Sequence, residues 1–219
     1  MKKRMLLLAA LVAAGALLAL YGPTLLGFYR LQRHIDTAAQ ADDADGGPWP
    51  RVTDTCMGCH GVKGTSLNQA YPSLAGQPAQ YVAVQLRAFA SGQRANPTMG
   101  PLAMTMSETE VAHLADYYAK QVPVDNRYFK ADARLRAKGE QRVKGAACAA
   151  CHGARLTGQA QFPRLAGQGY DYLLAQLDAF ANGTRSEATG TMQRVTKAMS
   201  ADDRMAIATY LASVSPGKQ

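Results

Sequence analysis

The pentapeptide Cys56-Met57-Gly58-Cys59-His60 decides how the rest of the chain is read, and it has a second copy, Cys148-Ala149-Ala150-Cys151-His152. Two thiols spaced this way lie on one turn of helix, where they reach the two vinyl groups of a single haem and form thioethers. The histidine directly after the second thiol then sits under the iron as its proximal ligand. Together the copies use all 4 cysteines of the chain. Other meanings of C-x-x-C fit less well. A thioredoxin-like motif needs a βαβ pattern, and none is visible. Paired C-x-x-C zinc sites lie about 15–20 residues apart, far less than the gap here. C-x-x-C loops are also poor disulfide staples. The expected cofactors are therefore two covalently attached haem c groups, held by Cys56, Cys59, Cys148 and Cys151, with His60 and His152 as iron ligands.

Outward from these motifs the chain repeats itself. Tyr71-Pro72-Ser73-Leu74-Ala75-Gly76-Gln77 matches Phe162-Pro163-Arg164-Leu165-Ala166-Gly167-Gln168 at an offset of 91, which also pairs Tyr81 with Tyr172, Gln85 with Gln176 and Phe89 with Phe180. Val82, Leu86 and Phe89 recur at helical spacing, as do Leu173, Leu177 and Phe180, so each set is the apolar face of a helix. Gly92 and Gly183 stand where a C-terminal cap belongs. Ser107-Glu108-Thr109-Glu110 opens a later helix with a capping box, and Ser200-Ala201-Asp202-Asp203 is its copy. Leu114 with Tyr118, and Ile207 with Leu211, supply inward faces. No stretch alternates with period two. The fold class is all-α, two small domains over residues 48–124 and 125–219, each using a flat haem to complete a core that so short a chain builds poorly alone.

Each histidine needs a partner for its free ring nitrogen. Pro72 and Pro163 follow His60 and His152 by 12 and 11 residues, and their carbonyls are the candidate acceptors. For the second axial ligand the repeat offers two equivalent methionine pairs. Met106 and Met199 directly precede the helix caps, the hydrophobic-staple position, and read as core. Met99 and Met192 sit in Gly-, Thr- and Pro-containing stretches, read as loops able to cross the open haem face. They are the expected ligands, in the Met/His pattern of cytochromes. His34 and His113 have no motif around them and read as surface residues.

The amino terminus reads Lys2-Lys3-Arg4 and then an apolar run from Met5 to Phe28, 24 residues. As helix that is roughly 36 Å, enough for a bilayer core of about 30 Å. A small-x-small cleavage site, Ala39-Gln40-Ala41, lies well past the run, so residues 1–29 are expected to be a retained membrane anchor rather than a cleaved signal peptide. The early cations favour an inside amino terminus. Residues 30–47 read as a tether, stiffened at Pro48 and Pro50. The rest of the chain is expected in the bacterial periplasm, at the inner membrane. Net charge is +8, of which residues 125–219 hold 14 Lys/Arg against 8 Asp/Glu. The cations are interrupted by Ala, Gly and acids, which speaks against nucleic acid. Arg134, Lys138 and Arg142 share a helix face and form a candidate docking stripe for an acidic partner.

With these elements in view, the chain resembles the di-haem cytochrome c4 family over residues 50–215. The resemblance rests on the two C-x-x-C-H-G motifs, the two (F/Y)-P-x-L-A-G-Q segments, and the two segments from Met99 to Ser107 and from Met192 to Ser200. It implies tandem class I cytochrome c domains, His/Met ligation at both irons, haem propionates close together near the domain interface, and electron transfer to terminal oxidases. Ala137-Lys138-Gly139-Glu140 resembles the family's N-terminal helix, whose glycine lets the C-terminal helix approach. The first unit has only Trp49 to Thr55 there, so its first helix is expected to be short or absent. The expected function is a membrane-anchored carrier of single electrons and not an enzyme. Its donor would be a redox protein such as a quinol-oxidising complex, its acceptor a terminal oxidase. The alternatives are a fixed cytochrome subunit of an oxidase or dehydrogenase complex and, against the methionine pattern, a di-haem peroxidase.

Overall fold

The computed structural model describes residues 2–47 and 51–217, in two units, 1–49 and 50–219. The first unit is one helix, α1 (Lys2–Ala44), with Pro23 inside it. Its 43 residues make it about 64 Å long, and it is long and apolar enough to cross a membrane by length and composition. The helix does not stop where the apolar run stops. Residues 30–44, expected to be a flexible tether, are helical. They contain no Gly or Pro and hold four Ala, two Gln and two Arg, which favour helix. Gln32 donates to Asp36 one turn on at 3.0 Å. The expected stiffening at Pro48 and Pro50 lies outside the described residues.

The second unit is helical throughout, and among the described residues its only β pairing is an isolated bridge between Gln159 and Phe162. In chain order it has α2 (Asp54–His60), a single 3-10 turn (Val62–Gly64), α3 (Ala79–Ala90), α4 (Met99–Met104) and α5 (Glu108–Lys120). These are followed by α6 (Ala133–Gly145), α7 (Ala149–His152), α8 (Tyr170–Asn182), α9 (Thr191–Lys197) and α10 (Ala201–Ser213). The repeat is therefore structural: α2 to α5 correspond to α7 to α10. α3 packs on α4 and α5, α8 on α9 and α10, and α6 on α10. Between residue 51 and α2 there is no counterpart of α6.

Two apolar clusters fill the two halves. One gathers Val82, Leu86, Val111, Leu114, Ala115, Tyr117 and Tyr118. The other gathers Val143, Leu156, Ala166, Leu173, Leu177, Ile207, Ala208, Leu211 and Ala212. They contain Val82, Leu86, Leu114 and Tyr118, and Leu173, Leu177, Ile207 and Leu211, of the inward faces that helical spacing marks out; Phe89 and Phe180 lie outside both clusters, against Arg94 and Arg185. Burying a Leu or Val side chain contributes about 1.5–3 kcal/mol, so each half has a modest core of its own. The helix ends follow local rules. Ser107 accepts from the Glu110 N–H while the Glu110 carboxylate accepts from the Ser107 N–H at 2.8 Å. Gly183 ends α8 at φ 80°, in the left-handed region.

The second cap differs. Ser200 accepts from the Asp203 N–H at 3.1 Å, but Asp203, one methylene shorter than Glu110, turns its carboxylate to Lys138 and Arg142, each at 3.0 Å. Two members of the expected docking stripe thus tie α6 to the head of α10. Arg136 also turns to α10, donating to the Ser213 hydroxyl at 3.1 Å with its guanidinium over the Tyr210 ring. Lys138 and Arg142 brace the two helices because the acid they meet lies far away in sequence and adjacent in space.

Candidate haem sites and the interface between them

Each C-x-x-C-H motif forms a short helix that ends on its histidine, α2 on His60 and α7 on His152. The turn that follows needs glycine. Gly61 has φ 76°, and a Cβ there would stand 1.9 Å from the Thr65 carbonyl oxygen; Gly153 has φ 82°. This reversal brings the next segment back beneath the histidine. His60 Nδ1 donates to the Pro72 carbonyl at 2.8 Å, and His152 Nδ1 to the Pro163 carbonyl at 2.9 Å. The carbonyl fixes the tautomer, so Nε2 is the ring nitrogen turned to a metal. Both rings are buried, and burial holds both below the usual histidine pKa although the carbonyl bonds oppose it. They are therefore neutral, as a ligating imidazole must be.

None of the four cysteines is in a disulfide. Burial pushes Cys56 and Cys148 up from the usual thiol pKa. Among the described residues no group of three His, Cys, Asp or Glu side chains gathers to hold a metal ion by itself. The donor set is two thiols and one imidazole per half, which suits a porphyrin that brings four nitrogens of its own. The Tyr118 hydroxyl supports the same fit. It is buried beside Cys56 yet makes no hydrogen bond of normal geometry.

The expected methionine ligands do not sit in loops. Met99 begins α4 and Met192 lies in the first turn of α9. Short side chains build these turns. Asn96 Oδ1 accepts from the N–H groups of Thr98 and Met99, and at the equivalent place the Glu187 carboxylate accepts from Thr189 and Met192. Burial alone would raise the Glu187 carboxyl, but these hydrogen bonds hold it below its ordinary value. Cys56, Met99 and Met106 all border the first cluster, and Cys148, Met192 and Met199 the second. Both methionine pairs therefore touch core. His34 and His113 are exposed.

Between the halves the packing changes character: it is polar, and it obeys the repeat. Arg94 reaches Gln85 in its own half at 2.8 Å and Tyr172 and Gln176 in the other at 3.0 and 2.9 Å. Arg185 mirrors it, reaching Gln176 at 2.6 Å, Tyr81 at 3.3 Å and Gln85 at 3.0 Å. Each guanidinium also lies over a phenylalanine, Arg94 over Phe89 at 4.5 Å and Arg185 over Phe180 at 4.6 Å. Gln77 and Gln168 make a second mirrored pair, Gln77 on the Arg164 backbone and Gln168 on the Ser73 backbone. The repeat is broken at Ser73 against Arg164. Arg164 is 2% exposed, and its guanidinium donates to the carbonyls of Ala75, Ser73 and Ala166. Burial pulls it down to about 10, so it is charged at neutral pH. Sequence reasoning assigned none of Arg94, Arg164 or Arg185 a place. The constant offset of 91 between Arg94 and Arg185 was the available signal for that pair. For Arg164 there was none, since its burial depends on the opposite half.

With this geometry in hand, comparison with known proteins is specific. Residues 136–215 match the cytochrome c family model, and residues 48–117 match the model described as cytochrome c oxidase, cbb3-type, subunit III. Cytochrome c4 of Thiocapsa roseopersicina is 36% identical over 193 residues, spanning 83% of this chain and 98% of its own. A thiosulfate dehydrogenase electron acceptor of Thiomonas intermedia is 38% identical over 181 residues, 77% of this chain and 83% of its own. The crystal structure of reduced recombinant cytochrome c4 from Pseudomonas stutzeri superposes with a TM-score of 0.70 at 28% identity, covering 80% of this chain and 98% of that one.

Proposed function

Since this chain belongs to the cytochrome c4 family of di-haem electron carriers, we propose that it is a membrane-anchored periplasmic cytochrome that passes single electrons toward a terminal oxidase. The observation that carries this reading is the doubled arrangement of a motif helix, a buried neutral histidine and a proline carbonyl on Nδ1. Haem iron supplies the one-electron chemistry. The chain's own task is to hold the iron so that little rearranges between redox states. His60 and Met99 would hold the iron of the first haem, and His152 and Met192 that of the second. Cys56, Cys59, Cys148 and Cys151 carry the thioethers. The short helices α4 and α9, fixed by Asn96 and Glu187, present the thioethers of Met99 and Met192. Methionine ligation favours Fe(II) and raises the potential.

α1 is the anchor, its apolar part in the inner membrane and the cytochrome domains in the periplasm. The match of the first domain to a cbb3-type oxidase subunit model supports an oxidase as acceptor. A relative described as a thiosulfate dehydrogenase electron acceptor supports a second donor class beside a quinol-oxidising complex, namely a periplasmic dehydrogenase. The protein itself is a carrier and not a catalyst. The test is carbonate washing of membranes, followed by stopped-flow oxidation of the reduced, detergent-purified protein by membranes containing a terminal oxidase. Retention after carbonate and oxidation that cyanide blocks are expected. A mature chain beginning near Ala41 in the soluble periplasm would remove the anchor. Isolation only inside a larger complex would make the protein a fixed subunit.

A further inference from the structure

Each candidate proximal histidine is held by a peptide whose other side is held by a glutamine of the opposite domain. The Pro163 carbonyl accepts from His152 Nδ1 at 2.9 Å, and the N–H of that same peptide, on Arg164, donates to Gln77 Oε1 at 2.9 Å. The Pro72 carbonyl accepts from His60 Nδ1 at 2.8 Å, and the N–H of that peptide, on Ser73, donates to Gln168 Oε1 at 2.7 Å. Each carboxamide also donates back, Gln77 Nε2 to the Arg164 carbonyl at 3.0 Å and Gln168 Nε2 to the Ser73 carbonyl at 3.0 Å. Both glutamines are 2% exposed.

A two-point clasp alone would account for adhesion between the halves. Its placement does more, because it falls on the peptide that carries the histidine's acceptor. Hydrogen bonds in a chain polarise one another, the more so where water is excluded. An acceptor on the amide N–H moves electron density toward the carbonyl oxygen. A stronger acceptor on Nδ1–H makes the imidazole a more basic ligand. A more basic ligand favours Fe(III) and lowers the potential.

We propose that Gln77 and Gln168 tune the haem potentials crosswise: Gln77 of the first domain acts on the haem of the second through Arg164 N–H, Pro163 carbonyl and His152, and Gln168 of the second acts on the haem of the first through Ser73 N–H, Pro72 carbonyl and His60. Both are positioning residues, since each acts on its histidine only through the intervening proline peptide. The inference rests on His60 and His152 being the proximal ligands. It makes the domain interface part of the redox apparatus, so that a change in interdomain packing would move both potentials.

The test uses the full-length holoprotein. A redox titration followed by NMR reports each haem separately through its methyl signals, and the Nδ1 proton of each ligand is read in the reduced, diamagnetic form. Gln77→Leu is expected to shift the second-domain potential positive and move the His152 Nδ1 proton upfield, with the first-domain haem moving far less. Gln168→Leu is expected to give the mirror image, acting on the first-domain haem and His60. A shift confined to the variant's own domain, an equal shift of both haems, or no shift overturns the proposal. If the leucine variants do not fold, Gln77→Glu keeps an oxygen acceptor on Arg164 N–H and is expected to move the second-domain potential negative, and further than the first. Ligation is read independently from the wild-type optical spectrum. Absence of histidine ligation overturns the ligand reading and this inference together; its presence without a crossed shift overturns this inference alone.

Discussion

Gly139 on α6 and Ala206 on α10 approach so closely that a Cβ on Gly139 would stand 2.0 Å from the Ala206 carbonyl oxygen. The Tyr210 side chain would also be met, at 2.8 Å. The contact is backbone against side-chain space, and no rotamer change relieves it. Only glycine lets these helices cross here.

Gly139→Ala is therefore expected to push α6 off α10 and destabilise the second domain by about 2–3 kcal/mol, the usual cost of overpacking a tight core. Chemical denaturation of the holoprotein, monitored by haem absorbance, reads this directly. A variant as stable as wild type would mean that the helices separate freely. The first domain has no glycine-bearing counterpart of α6, so the lost stability originates in the second domain.

Asp203 binds Lys138 and Arg142 close to the Ser200 hydroxyl, and these contacts hold its carboxyl below the ordinary value of 3.8. A carboxyl with a depressed folded pKa lends stability at higher pH. That contribution starts to fade as pH falls toward 3.8 and is gone once pH drops through the still lower folded value. Asp203→Asn is expected to lower stability at neutral pH only slightly, as for exposed ion pairs, and to flatten the acid limb of the stability curve below pH 4. High salt should narrow the gap between variant and wild type. An unchanged acid limb would detach Asp203 from the acid response. Electron-transfer rates insensitive to Arg134→Glu would likewise agree with α6 as a brace, not a docking face.

The two methionine pairs are separated by ligation. Met99→Ala and Met192→Ala are each expected to abolish the Met–Fe absorption band of one haem and to lower that haem's potential. Met106→Ala and Met199→Ala should keep both bands and cost about 1–2 kcal/mol, less than a fully buried methionine because each is half-buried. Loss of the band in the Met106 variant would transfer the ligand role to the staple position.

Arg164 stands where the other half has Ser73, and its guanidinium satisfies carbonyls on both sides of the interface. Arg164→Met keeps an unbranched apolar stem but removes the guanidinium, leaving the Ala75 and Ala166 carbonyls without that donor, at about 1–3 kcal/mol for each unsatisfied group. The expected result is that the two domains unfold in separate steps where wild type unfolds in one. Differential scanning calorimetry checks it, and a single unchanged transition would show that the glutamine and arginine pairs hold the interface alone.

What the amino-acid sequence determined by itself was the local part of this protein. The two C-x-x-C-H turns, the helical spacing of Val82, Leu86 and Phe89, the Ser107 cap and the choice of Pro72 and Pro163 as histidine acceptors all involve groups close along the chain, or a doubled pattern that the offset of 91 makes visible. The fold class followed from these. Tertiary structure decided what depends on residues distant in sequence. It buried Arg164, crossed Arg94 with Arg185, placed Gln77 and Gln168 on each other's proline peptides, and turned Lys138 and Arg142 inward to Asp203. The reason is physical: a charge or carboxamide takes its partner from whatever the fold brings within about 3 Å, and periodicity says which face of a helix is apolar without saying which polar group will stand opposite.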